Sequence, residues 1–437
     1  MRILMLGLLT LVIVSVGYAQ TIDKEKLDQL FDRLLEKNKG MGSIVIAKEG
    51  RIVYERAFGY SLMDGPTKTP ITSNTRFRIS SITKTYTAVM ILQLVEEGKL
   101  KLQDNLDRFF PEIPNANKIT IEQILRHRSG IPELKVEPNW GRQSRTHDEV
   151  LAVIEKGQPN FEPDSKHEYS NTGYVILGYI IEKVEGKPYQ DVLKERITSK
   201  LGLKNTYLGE GNTNTEKNES LSYRYLGEWK EAPELNLSVP AGAGAIMSTP
   251  GDMAKFIQAL FDHKLVSKAS LDKMMTMQDG EGMGMEPFTF SGKTLYGHTG
   301  GSNSSGSWLA YEPEEQLALA YTTNAKIYPV ADIVAAVFDI YWNRPYQVPT
   351  FEALMVSPEI LDKYVGVYVV AGTPARMTVT RSGSTIAIEN GGNTIPLEAT
   401  APDTFNLAPG VTVSFDMSKK QMTIKRPQGE RVFTREE

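Results

Sequence analysis

Ser81 and Lys84 stand three residues apart in Phe77-Arg-Ile-Ser-Ser81-Ile-Thr-Lys84-Thr-Tyr-Thr-Ala-Val-Met-Ile-Leu-Gln-Leu-Val95, a spacing that joins a nucleophile to a base. From Thr83 onward apolar residues recur at three- and four-residue steps (Ala88, Ile91, Leu92, Val95), the pattern of a buried helix. Ser81 then sits at the helix start, and the two side chains rise from one face of its first turn. An ammonium beneath an apolar roof and near the positive end of a helix dipole is disfavoured. Both effects lower the pKa of Lys84, and a neutral amine can take the Ser81 proton. The spacing alone is weak, because Ser270-Leu-Asp-Lys273 repeats it in a charged helical stretch with no sign of chemistry.

Partners for Ser81 are sought elsewhere in the chain. In His167-Glu-Tyr169-Ser-Asn171-Thr-Gly-Tyr-Val-Ile-Leu-Gly a polar loop runs into a second apolar helix, so Tyr169 and Asn171 are held at its N-terminal end. Tyr341-Trp-Asn343 has the same spacing inside an apolar helical stretch, where packing explains it. His298-Thr299-Gly300-Gly301 precedes two strand-like runs, Trp308 to Tyr311 and Leu317 to Thr323, about a charged turn; glycines there let a strand backbone approach a ligand. A surface strand histidine is the plainer reading of His298. His127, in Leu125-Arg-His-Arg-Ser-Gly130-Ile, reads as a hydrogen-bonded turn histidine.

The elements around these places can be read locally. Lys24 to Lys37 is an amphipathic helix through Leu27, Leu30, Phe31, Leu34 and Leu35, and Ser43 to Phe58 is a hairpin turning at Glu49-Gly50. Thr120-Ile-Glu-Gln123 has capping-box form, and Thr249-Pro250-Gly-Asp252 is a strong helix start. Gly242-Ala-Gly244 lacks the third glycine and the preceding strand of a nucleotide loop, so it is read as a close backbone approach beside the site. Helix, antiparallel hairpin and further helices together imply α+β layering.

From about Pro358 short alternating stretches, separated by Ser382-Gly, Asn390-Gly-Gly, Pro409-Gly and Gln428-Gly, predict seven or eight strands closing a small β-barrel. With 437 residues, two domains are the prior. The expected division is an export signal at 1–19, a main domain at 20–345, a linker at 346–357 and the barrel at 358–437. Arg2, the apolar run Ile3 to Val16 and Gly17-Tyr-Ala19 fit a cleaved secretory signal better than a membrane span, which implies a periplasmic or extracellular protein without stable membrane insertion. The absence of cysteine removes disulfides and thiolate metal sites. A net charge of −4 with scattered Lys and Arg gives no support for nucleic-acid binding, and no His and carboxylate cluster has metal-ligand spacing. No cofactor is expected.

Taken together, S-x-x-K at Ser81 and Lys84, Y-x-N at Tyr169 and Asn171, and H-x-G at His298 to Gly300 resemble, in order, the motifs of the β-lactamase-related serine hydrolases, the group of class C β-lactamases, D-Ala-D-Ala carboxypeptidases, D-aminopeptidases and related esterases. The resemblance covers roughly residues 24 to 345, and the last eighty resemble the lipocalin-like domains appended to some members. It implies an antiparallel sheet flanked by helices plus a helical subdomain, with the site between them. It also implies an acyl-enzyme on Ser81, Lys84 and Tyr169 sharing the base duty, and backbone N–H groups of Ser81 and Gly301 receiving the oxyanion. In that arrangement Lys84 helps Tyr169 toward its anion. Asn171 holds the substrate amide or Lys84. His298 lines the far wall with Thr299 and Gly300, donating to Tyr169 or to a substrate carboxylate.

Where class C β-lactamases carry K-T-G, this chain has His298, mostly neutral at pH 7. That shifts the expected activity from β-lactamase toward hydrolysis of D-amino-acid peptides, with carboxylesterase as the alternative and a non-catalytic cell-wall or penicillin-binding module as the competing class. The expected partner is a small peptide, amide or ester, and the barrel is a candidate surface for oligomerisation.

Overall fold

The computed structural model describes residues 22–436 apart from 135–136, 303, 352–353, 355, 371, 374, 384, 391–392, 409–410 and 428; the expected export signal lies outside these residues. Helix α1 (Lys24–Glu36) starts at Asp23, whose carboxylate accepts the Lys26 N–H, and buries Leu27, Leu30, Phe31 and Leu34. The hairpin follows as β1 (Gly42–Lys48) and β2 (Arg51–Phe58). Its turn residues Glu49 and Gly50 both have positive φ, 51° and 75°, the twist that a two-residue hairpin turn requires.

Helix α2 (Thr83–Glu96) is buried at every position from Thr83 to Leu94. A helix enclosed on all sides is a core element rather than an amphipathic surface one, and α2 is the post around which the helical subdomain packs. Helices α3 (Asn171–Glu185) and α4 (Pro250–Phe261) lie beside it in one apolar cluster, with Ile91, Ile176, Ile180 and Phe256 inaccessible to solvent. The ring of Tyr86 stacks on that of Phe256 within this cluster. Both start signals read from sequence are present. Thr249 accepts the Asp252 N–H ahead of α4, and Thr120 and Gln123 form a reciprocal capping box on the short helix Ile121–Leu125.

Strands β3 (Glu286–Phe290), β4 (Lys293–Gly301), β5 (Gly306–Glu312) and β6 (Leu317–Thr323) join the hairpin in one antiparallel sheet of order β3-β4-β5-β6-β1-β2. β5 and β6 are buried at every residue. The reason is cover on both faces: Leu309, Tyr311, Ala318 and Ala320 meet the helical cluster, while Trp308, Ala310, Leu317 and Leu319 meet α1 and α5 (Val330–Tyr341). Continuous apolar runs in these strands follow from that double cover.

After α6 (Pro358–Tyr364) eight strands, β7 (Gly366–Val369), β8 (Arg376–Ser382), β9 (Thr385–Asn390), β10 (Asn393–Ala401), β11 (Thr404–Ala408), β12 (Val411–Asp416), β13 (Gln421–Arg426) and β14 (Gly429–Arg435), close a barrel. Closure leaves no free edge. The stretch Tyr364 to Val370 reads from sequence as the first strand, but Tyr364 ends a helix, and the strand begins at Gly366. Tyr364 and Leu361 of this helix pack into the barrel core with Phe405, Phe415 and Phe433, so their spacing serves a helix that plugs rather than a strand that closes. Among the described residues no helix is long and apolar enough to cross a membrane.

Candidate active site

Ser81 sits in a single 3₁₀ turn, Ser80–Ile82, between the two-residue strand Phe77–Arg78 and α2. The turn is fixed from two sides. Phe77–Arg78 pairs with Ile246–Ser248, the Ile79 N–H donates to Ile246 O at 3.1 Å, and the Ile246 N–H donates to Thr83 Oγ1 at 3.1 Å. From the sheet, Ser307 Oγ of β5 donates to Ile79 O at 2.8 Å, a carbonyl that also accepts the Ile82 N–H. Ser80 has φ +48°, a left-handed conformation that costs on the order of 1 kcal/mol outside glycine and persists only where its surroundings hold it. Gly300 of β4 completes the clamp: a Cβ there would lie 2.3 Å from both Ile79 O and Ser307 Oγ. Only glycine lets β4 come this close to the turn of Ser81.

Lys84 is inaccessible to solvent, and its Nζ meets three oxygens: Ser81 Oγ at 3.0 Å, Asn171 Oδ1 at 2.7 Å and Ala243 O at 3.0 Å. Two of these, a carbonyl and an amide oxygen, can only accept. A neutral amine that gives its two N–H bonds to Asn171 and Ala243 therefore points its lone pair at Ser81 Oγ. Burial lowers the Lys84 pKa to about 7, against the opposing pull of Glu133, Glu286 and Glu281. The neutral base expected from sequence is thus populated near neutrality, and desolvation is the dominant cause.

Tyr169 lies just before α3, with Lys84 Nζ 4.9 Å from its ring centroid. Burial pushes its hydroxyl well above the usual phenol range, and its hydrogen bond with Ser81 holds back only part of the rise. Burial therefore opposes the anionic form expected of Tyr169. Tyr169 can pass a proton on, while Lys84 is the group able to accept one first.

Asn171 holds Lys84, one of the two roles expected for it, and its N–H and Nδ2 both donate to Glu133 Oε1, at 3.0 and 2.8 Å. His298 lies on β4, only 2% exposed, with its ring centroid 6.4 Å from that of Tyr169. Its Nδ1 donates to Thr299 O at 2.6 Å. Burial holds its pKa below the usual histidine value despite Glu286. A neutral ring that donates through Nδ1 has only a lone pair at Nε2, so in this tautomer Nε2 can accept but not donate. Thr299 turns to Glu286 instead: its N–H and its Oγ1 both donate to Glu286 Oε2, each at 3.0 Å. That carboxylate reaches its polar groups from the start of β3, where Glu286 pairs with Gly297, two residues before Thr299 on β4.

Residues 81, 84, 169, 171 and 298 through 301, remote along the chain, thus converge on one crevice. Two contributors, Ser307 and Glu133, were not singled out from sequence. Ser307 acts through a contact 228 residues distant along the chain, which no local pattern signals, whereas Ala243 O, 159 residues from Lys84, lies in the Gly242-Ala-Gly244 stretch read as a close backbone approach beside the site. Glu133, an exposed carboxylate in a loop, carries no motif. His127 was read as a turn residue, and it is one, with φ +55°. It also stacks on Tyr169. Among the described residues no group of His, Asp and Glu could hold a metal ion.

A half-buried serine bonded to a fully buried lysine beneath an antiparallel sheet edge, with a tyrosine beside it, defines a serine acyl-transfer enzyme of the β-lactamase and transpeptidase class. The Beta-lactamase family profile matches residues 27–339, and the chain belongs to that family of serine hydrolases. It is 30% identical over 389 residues to a penicillin-binding protein of Bacillus subtilis (strain 168), covering 81% of this chain and 85% of the relative. Among solved structures it resembles a D-amino acid amidase from Ochrobactrum anthropi SV3, with TM-score 0.65 and 28% identity over 72% of this chain and 99% of that one. It also resembles an octameric penicillin-binding protein homologue from Pyrococcus abyssi, with TM-score 0.64 and 26% identity over 94% of this chain and 100% of that one.

Proposed function

We propose that the protein hydrolyses amide bonds of small D-amino-acid-containing substrates through an acyl-enzyme on Ser81. The observation that carries this reading is the pair of obligate acceptors, Asn171 Oδ1 and Ala243 O, which leave the Lys84 lone pair for the Ser81 hydroxyl. In the forward step Lys84 Nζ takes the proton of Ser81 Oγ as that oxygen attacks the substrate carbonyl. The carbonyl oxygen becomes an oxyanion, received by the backbone N–H groups of Ser81 and Gly301. Tyr169 gives its proton to the leaving amine and regains one from Lys84, so the C–N bond breaks and neutral Lys84 is restored. Water then enters, loses its proton along the same path, attacks the acyl carbon and releases the acid.

Similarity to a D-amino acid amidase supports an amide substrate. Charge favours one end of it. Glu133, Glu281 and Glu286 all act on Lys84 and the chain lacks the wall lysine of K-T-G, while Lys326, beside Gly301, has its Nζ engaged by Ser302 O. An ammonium on the acyl side is attracted to these carboxylates, whereas a terminal carboxylate is repelled. The reading is therefore an amidase or aminopeptidase-like activity on substrates with a free amino group, in preference to carboxypeptidase action. Export follows from Met1 to Ala19, and we take the barrel from Pro358 as a separate unit joined through residues 346–357.

The test is a panel of D-amino-acid amides and p-nitroanilides with free or acetylated amino groups, an acyl-D-Ala-D-Ala peptide, p-nitrophenyl esters and nitrocefin. The free-amino D-amides should exceed their acetylated counterparts in kcat/KM by roughly tenfold or more. A preference for the acyl-D-Ala-D-Ala peptide, or for esters with no turnover of any amide, contradicts this substrate class.

A further inference from the structure

His127 is held in a place that its turn does not require. Its φ of +55° lies in the left-handed region, where glycine or asparagine fits with less strain. Its side chain is 3% exposed. Its ring stacks on Tyr169 with centroids 4.3 Å apart and 23° between planes. On either side of that tyrosine it takes a backbone N–H: Ser170 N donates to His127 Nδ1 at 3.0 Å, and Glu168 N donates to His127 O at 3.0 Å. A residue kept in a strained conformation while three of its groups address one neighbour is serving that neighbour.

We propose that His127 is the positioning residue for Tyr169, fixing the phenol by clasping the backbone before and after it and by covering one face of its ring. The role needs a neutral ring, because Nδ1 accepts and has no room for a proton. Burial first, then the charged neighbours on the Lys84 side, favour that state, and Glu281 alone pulls against it. Lys84, His298 and His167 disfavour a cation, as does burial, and Glu281 Oε2 lies 3.7 Å from Nε2, on the N–H side of that tautomer. Glu281 is itself engaged by His167 Nε2 at 2.9 Å, and Tyr174 closes the remaining side with its ring 5.1 Å away.

The inference rests on Tyr169 lying in the proton path, and a double-mutant cycle separates the two ideas. Tyr169→Phe, His127→Ala, His127→Asn and both combinations with Tyr169→Phe are compared for kcat, KM and single-turnover acylation. The expected result is that Tyr169→Phe is impaired, that His127→Ala lowers kcat by roughly 10- to 100-fold with KM little changed, and that His127→Ala costs less than about threefold once the Tyr169 hydroxyl is gone. His127→Asn, whose Oδ1 can replace Nδ1 as acceptor and which suits positive φ, should recover part of the loss without losing thermal stability. If His127→Ala does not fold, the asparagine variant carries the same cycle. Costs that multiply independently in the double variant overturn the positioning role while leaving Tyr169 catalytic. Full activity of Tyr169→Phe overturns the proton path itself, and the positioning role with it.

Discussion

At the scale of single residues, the site turns on one amine held where water cannot reach it. Lys84→Ala should lower acylation on the order of 10³- to 10⁴-fold while the fold persists, measured by single-turnover kinetics and circular dichroism. Asn171→Leu removes one of the two acceptors that orient the lone pair and should cost roughly 10²-fold in kcat. The same burial links Lys84 to stability. Its pKa is lowered to about 7 when folded, against 10.5 for a lysine free in water. Between these values the unfolded chain binds the proton and the folded chain does not, so this contribution to stability rises with pH across that window and is at its most unfavourable below it. Denaturant midpoints of wild type relative to Lys84→Met should therefore climb from pH 7 to pH 10; a constant difference would deny the depressed pKa.

At the scale of elements, the nucleophile turn and the edge strand must keep a fixed separation, because the two proposed oxyanion donors belong one to each. Ser307 and Gly300 set that separation, one by a hydrogen bond to Ile79 O and the other by lacking a Cβ. Gly300→Ala should force β4 away from the turn and cut Ser81 labelling by about 10²-fold, and Ser307→Ala should cost roughly tenfold in kcat with a smaller change in KM. Labelling unchanged in both variants would remove this clamp from the account. These elements also divide what could be read from sequence. Caps at Thr120 and Thr249, the Glu49-Gly50 turn and the S-x-x-K, Y-x-N and H-x-G sites were legible because each is written within a few residues. The resistance of Tyr169 to ionising, the tautomer of His298 and the bond from Ser307 were not, because each depends on burial or on a partner more than a hundred residues away.

At the scale of the whole molecule, the barrel meets the rest of the chain through residues other than those of the crevice. Lys39 Nζ lies 2.6 Å from Glu398 Oε1, and the Leu354 N–H donates to Ala399 O at 3.1 Å. Neither contact touches the crevice residues. Deleting the chain from Pro358 onward should leave Ser81 labelling by a fluorophosphonate within about threefold of the full protein. A larger loss would give the barrel a part in shaping the site. One solved relative that spans 94% of the chain is octameric, so light scattering of full and truncated protein tests whether the barrel joins subunits: a drop in assembly size on deletion supports it, and equal stoichiometry excludes it.

The most direct test of the central claim is the pH dependence of Ser81 acylation, followed as the burst of p-nitrophenol from an ester in wild type and in Lys84→Ala. With a neutral lysine as the base, the wild-type burst rate should rise tenfold per pH unit below about pH 7 and level off above it, matching the lowered pKa, and that limb should vanish in Lys84→Ala. A wild-type rate that is flat from pH 5 to pH 9, or the same limb surviving in Lys84→Ala, would contradict the account.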